Sequence, residues 1–142
     1  MIQAEMNQAL LRGGQHYPAS RLRQALRFVE RVVGKRTYAV SIAFVSPSAM
    51  RQANRRYRKK DRVTDVLSFS LSDHLGELLI CYSQAKRQAR EMGHSIRDEI
   101  TFLLVHGLLH LFGHDHERST QAKRMFNLQE KILQALRVDS RL

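Results

Sequence analysis

The stretch from Ser95 to Gly113 restricts the fold of this chain more than any other. Ser95-Ile96-Arg97-Asp98 resembles a helix-opening capping box, with Asp where Glu or Gln is usual. From Ile100 to Phe112 the apolar run is interrupted by Thr101, His106 and His110, and Gly113 supplies a stop. A helix so apolar belongs inside protein, and it falls short of the roughly 20 apolar residues of a membrane span. The expectation is a core helix with two histidines near its C-terminal end.

Other elements can be laid out around it. Residues 1–11 are weakly patterned and can hold a short strand. Ser20 is read as the cap of a helix whose apolar face is Leu22, Ala25, Leu26, Val29 and Val33, ended by Gly34. Thr37 to Val45 is β-branched and aromatic, which predicts a strand. Ser46-Pro47 opens a helix to about Tyr57, with serine as cap and proline in the first turn. Val63 to Ser70 and Glu77 to Tyr82 are strand candidates, and Ser83 is read as capping a helix that ends at Gly93. A last helix covers Ser119 to Leu136, with Met125, Leu128, Ile132 and Leu136 on one face. The expected fold is α/β (α+β): a small mixed sheet of three to four strands packed with four to five helices. With 142 residues the chain fits one domain, 1–142, able to build a core without disulfides. Its one cysteine, Cys81, is read as a small buried hydrophobe.

Charge narrows the partner. Lys and Arg number 24 against 13 Asp and Glu, a formal net charge of +11. Between Arg51 and Arg62 stand Arg51, Arg55, Arg56, Arg58, Lys59, Lys60 and Arg62, opposed only by Asp61. The block lacks the interleaved Trp, Phe and Leu of a membrane-lying helix, so a phosphate backbone is the better match. Arg55, Arg56, Lys59, Lys60 and Arg62 are the candidate nucleic-acid contacts. Tyr57 is either a base-stacking ring or, as the last apolar residue of its helix, part of the core. Met1 to Glu5 has neither the basic nor the apolar region of a signal peptide, and the expectation is a cytoplasmic protein without membrane contact.

The histidines carry the chemistry. His106 and His110, at i and i+4, can point two imidazoles at one ion. Gly113 turns the chain so that His114, Asp115 or His116 can complete a third corner, and the pattern His-x-x-x-His-x-x-Gly-x-x-His selects His116. This is the ligand spacing of the metzincin zinc proteases, with Gly107 in place of their catalytic Glu. Three imidazoles without a thiolate suit one Zn²⁺ with a position open, which leans catalytic. Asp115 is read as a carboxylate orienting a ligand. Gly107 cannot act as a base, and Glu99 stands nearly two turns upstream of His106, which argues against a peptidase.

Two segments together resemble a known family. Asn54-Arg55-Arg56-Tyr57-Arg58-Lys59-Lys60-Asp61-Arg62-Val63-Thr64-Asp65-Val66-Leu67-Ser68-Phe69 is similar to the Asn-x-x-Tyr-Arg…Asp…Thr-Asp-Val-Leu-Ser-Phe segment of the YbeY endoribonucleases, the bacterial rRNA maturation factors. His106 to His116 resembles that family's His-Gly-x-Leu-His-Leu-x-Gly-Tyr-Asp-His motif. Departures are Ser70 for a usual Pro, Glu77 for Asp and His114 for Tyr. The resemblance implies a zinc-dependent endoribonuclease of single-stranded RNA, acting in 3′-end maturation of small-subunit ribosomal RNA and in ribosome quality control. It implies zinc on His106, His110 and His116, a catalytic or substrate-orienting Arg58, and ribosomal RNA with the small ribosomal subunit as partners. A monomer is favoured. Asp65 is expected to cap the turn before its strand. The alternatives are a ribosome-assembly RNA-binding module stapled by zinc, and a zinc metallopeptidase.

Overall fold

The computed structural model describes residues 1–34, 36–113 and 119–136. Among them the order is β1 (Ile2–Asn7), a 3-10 turn (Gly13–Gln15), α1 (Ala19–Val33), β2 (Tyr38–Val45), α2 (Pro47–Arg58), β3 (Val66–Ser72), β4 (Leu75–Cys81), α3 (Tyr82–Met92), α4 (Ile96–Leu111) and α5 (Ser119–Leu136). The strands form one mixed sheet in the order β1-β2-β4-β3. β1, β2 and β4 run parallel, and β3 pairs antiparallel with β4 at the edge. The α+β expectation holds, and no helix among the described residues is long and apolar enough to cross a membrane.

Helix α4 is the hub. From Glu99 to Leu111 every residue is buried except His106 and His110. It packs on β3 and β4 and is enclosed by α1, α3 and α5. Its polar interruption at Thr101 is fully bonded: the hydroxyl donates to the Arg97 carbonyl (2.8 Å) and meets the Tyr17 hydroxyl at 2.6 Å. Burial pushes the Tyr17 pKa up. Leu78 and Ile80 of β4, with Tyr38, Val40, Ile42 and Phe44 of β2, face this helical layer. On the opposite face a smaller cluster of Met50, Leu67 and Cys81 packs α2 on the sheet. Cys81 is buried there, as expected.

Helix and sheet come close together at Gly107. A Cβ placed there would lie 2.8 Å from Leu78 Cδ2 and 3.3 Å from Ser68 Oγ. Ser68 donates from β3 to the Gly107 carbonyl at 3.3 Å. Helix and strand therefore meet backbone to side chain.

Several boundaries differ from expectation. α1 starts at Ala19 with Pro18 as its cap, because the Pro18 carbonyl already accepts from Arg21 and Leu22, leaving Ser20 inside the first turn. α3 follows β4 without a loop, so Cys81 rather than Ser83 occupies the cap. β3 begins at Val66 because Asp65 turns the chain: its Oδ1 accepts the Val66 N–H at 2.7 Å, the capping role anticipated for it. The capping box of α4 is half made. Ser95 Oγ accepts from the Asp98 N–H at 3.1 Å, but the Asp98 carboxylate is engaged 3.0 Å from Arg21 on α1.

Gly107→Val is expected to overpack this contact and lower stability by about 1–3 kcal/mol. Urea unfolding followed by circular dichroism measures it, and an unchanged midpoint would remove the steric account.

Candidate metal centre and basic cleft

His106 and His110 are the two partly exposed residues in the buried length of α4. Their Nε2 atoms lie 3.2 Å apart, with ring centroids at 4.7 Å. Two nitrogens bound tetrahedrally to one Zn²⁺ at 2.0–2.1 Å stand about 3.3–3.4 Å apart, so this pair has the bite of a shared ion. His106 Nδ1 lies 2.9 Å from Gln129 Oε1 on α5. That amide oxygen accepts the Nδ1 proton, which leaves Nε2 with its lone pair toward His110. Phe102, one turn earlier, stacks on His106 with a 13° interplanar angle. The donor chemistry fits a divalent ion that favours nitrogen.

Gln129 was not among the residues singled out from sequence. The available signal was a polar residue at helical spacing between Met125 and Ile132 on the apolar face; in the structure it is 6% exposed. His116, the expected third ligand, lies outside the described residues, as do His114 and Asp115. Among the described residues no group of three or more His, Cys, Asp or Glu converges. Gly113 adopts φ +89° just beyond the helix, the left-handed geometry expected of its stop.

Two of the carboxylates considered from sequence, Glu99 and Asp65, are engaged elsewhere. Glu99 is fully buried, 2.8 Å from His94 Nε2 and accepting from Gln88 Nε2 at 2.9 Å. Seven residues separate it from His106, roughly 10 Å along the helix axis. Gln88 also donates to Asp65 Oδ2 at 3.1 Å, which ties Asp65 to this structural network. At position 107 the sheet leaves no space for the glutamate of a peptidase.

The basic block forms the end of α2 and the turn after it. Ser46 Oγ caps the helix by accepting from Ala49 at 3.2 Å, and Lys59 ends it in the left-handed conformation, φ 57°. Buried Asn54 donates to the Arg62 carbonyl at 3.0 Å and straps the turn back on the helix. The cations then separate. Arg58 and Lys60 line a cleft of about 750 Å³ with Tyr57, Ser68, Phe69, Ser70 and Leu71. Arg55 lines a second depression of about 500 Å³ with Arg51 and Asp61. Arg51 grips Asp61 through two bonds of 2.8 and 3.1 Å and holds that carboxyl below its ordinary pKa. Arg56, Lys59 and Arg62 are exposed around the same turn. Tyr57 is 61% exposed, so its expected place in the core is corrected. It extends past the Met50–Leu67–Cys81 cluster and meets the ring of Phe69 at 5.0 Å.

Ser68 joins the two halves. Its hydroxyl belongs to the wall of the Arg58 cleft and bonds the carbonyl of Gly107, the residue after His106. Sequence motifs some forty residues apart thus meet across one hydrogen bond.

The model of a protein family described as Endoribonuclease YbeY matches residues 14–137. The Endoribonuclease YbeY of Ureaplasma urealyticum is 46% identical over 101 residues, covering 67% of this chain and 65% of that protein. That of Myxococcus xanthus is 47% identical over 103 residues, 66% of this chain and 35% of the relative. The chain therefore spans less than two thirds of the length of either. A Thermotoga maritima protein solved in solution superimposes with a TM-score of 0.62 at 28% identity, covering 99% of this chain and 97% of that one. The matched segment contains the basic block, β3, and the histidines of α4, and on that basis the chain belongs to the YbeY endoribonuclease family.

Proposed function

We propose that this chain is a metal-dependent endoribonuclease that cuts single-stranded RNA, with one zinc ion held by His106, His110 and His116. The observation that carries the reading is the pair of Nε2 atoms 3.2 Å apart, one residue from a carbonyl bonded to the wall of the Arg58 cleft. The ribosomal assignment follows from the family: 3′-end maturation of small-subunit ribosomal RNA and ribosome quality control, in the cytoplasm.

When bound, zinc supplies Lewis-acid stabilisation of charge on a phosphoryl oxygen. The chain's own residues do the rest. Gln129 holds the His106 proton at Nδ1 and keeps Nε2 available. The guanidinium of Arg58 grips non-bridging phosphate oxygens in a bidentate fork and stabilises charge developing there. Lys60 adds a second cation in the same cleft, and the exposed cations of the turn draw in the backbone on either side. The ends of the cleaved RNA test the nucleophile: a 2′,3′-cyclic phosphate marks attack by the substrate's own 2′-OH and excludes direct hydrolysis by water.

The zinc-stapled binding module is the weaker reading, because α4 is enclosed by an apolar core that reaches the sheet, α1 and α5 without any metal. A peptidase is disfavoured by the packing at Gly107.

Chelating the metal is expected to abolish RNA cleavage while the far-ultraviolet circular dichroism stays native, and His110→Ala should do the same. Undiminished cleavage by folded His110→Ala protein would overturn the metal assignment, and collapse on chelation would favour the structural one. Gln129→Leu keeps the helix but loses the acceptor, so zinc affinity should fall about 10–100-fold in a competition titration. Arg58→Ala should cut kcat by about 10²–10³. Neutralising Arg55, Arg56, Lys59 and Lys60 together should instead weaken binding and flatten its salt dependence by about 0.7 in slope per lost phosphate contact. Equal effects of the two substitutions on kcat would contradict this division.

A further inference from the structure

We propose that Tyr57 is a stacking platform for an unpaired nucleobase, placed beside the phosphate that Arg58 holds. The inference rests on the endoribonuclease reading and names how that site takes its strand.

Tyr57 and Arg58 are successive residues in the last turn of α2, and both line the 750 Å³ cleft with Lys60, Ser68, Phe69 and Ser70. An aromatic ring left 61% exposed between two arginines contributes little to the core. Its attitude is nevertheless fixed. Phe69, half-buried against the Met50–Leu67–Cys81 cluster, meets it at 5.0 Å with an interplanar angle of 61°, the tilted geometry favoured by aromatic pairs. The guanidinium of Arg56 lies 5.4 Å from the Tyr57 centroid. That is a planar cation on a ring, an arrangement into which a flat base can slide or which it can replace.

Base–aromatic stacking accepts any base, because each has a π-face, whereas a base in a duplex is already stacked on its neighbours. A ring of this kind next to phosphate-binding cations therefore selects unpaired strands without reading sequence. Ser68 and Ser70 line the same wall, and their hydroxyls, which donate to the Gly107 and Ser72 carbonyls, keep lone pairs that can accept from ribose or base edges.

The test is an equilibrium titration of the zinc-loaded protein with a single-stranded 2′-O-methyl RNA carrying one 2-aminopurine, read by fluorescence quenching, beside a duplex of the same sequence. Wild type and Tyr57→Phe are expected to quench alike. Tyr57→Ala should lose the quenching and bind the single strand about 5–150-fold more weakly, from about 1–3 kcal/mol per stacked base. Its salt slope should match wild type, since no cation is removed, and its preference for single strand over duplex should fall by the same factor. Tyr57→Leu retains an apolar contact for Phe69 but has no ring, and should behave like the alanine variant, which separates stacking from support of the fold. If wild type binds and cleaves RNA and both ring-less variants equal it in quenching and affinity, the stacking site is wrong and the endoribonuclease reading survives. If wild type neither binds nor cleaves RNA, both fall.

Discussion

The contact between Gly107 and the sheet is the constraint on which the site depends. Without a side chain at 107, α4 lies against Leu78 and within hydrogen-bonding distance of Ser68. From Glu99 to Leu111 that approach leaves the helix buried except at His106 and His110. It also explains the absent carboxylate: the position that bears a base in a zinc peptidase is here used for packing. One residue thus leaves no room for that base and sets the two imidazoles at the helix surface.

The imidazoles are held from both ends. Phe102 stacks on His106 from within the helix, and Gln129 fixes its Nδ1 from α5. A half-buried histidine free to rotate would lose side-chain entropy on binding an ion; one already held loses less. The basic turn is preorganised in the same way, by the left-handed Lys59 and by Asn54 reaching the Arg62 carbonyl. The link between the two segments is β3, the edge strand whose Ser68 lines the Arg58 cleft and bonds the Gly107 carbonyl of α4.

Much of this was legible along the chain. The i, i+4 histidines, the Ser46-Pro47 helix start and the glycine stops depend on neighbours within one or two turns, so sequence order alone specifies them. Reading failed where a partner came from elsewhere. Ser20 and Ser83 have good cap chemistry but lost the position to Pro18 and Cys81, which the preceding chain had already fixed. Asp98 could have completed a capping box, yet Arg21 claims its carboxylate from a distance of seventy-seven residues. The exposure of Tyr57 was invisible because helical periodicity does not say where the underlying sheet ends.

The net charge of +11 shows the same division. Composition is sufficient to point to an anionic partner, since like charge repels whatever the fold. Which cations can act together is a matter of three-dimensional neighbourhood: Arg51 is paired with Asp61, Arg55 faces a second depression, and Arg58 with Lys60 lines the cleft that includes Ser68. The ligand identities and their helical spacing are local properties written in residue order. The meeting of Gln129 with His106, and of Ser68 with Gly107, required α5 and β3 to fold onto α4, because residues 23 and 39 positions apart become neighbours only through a shared core.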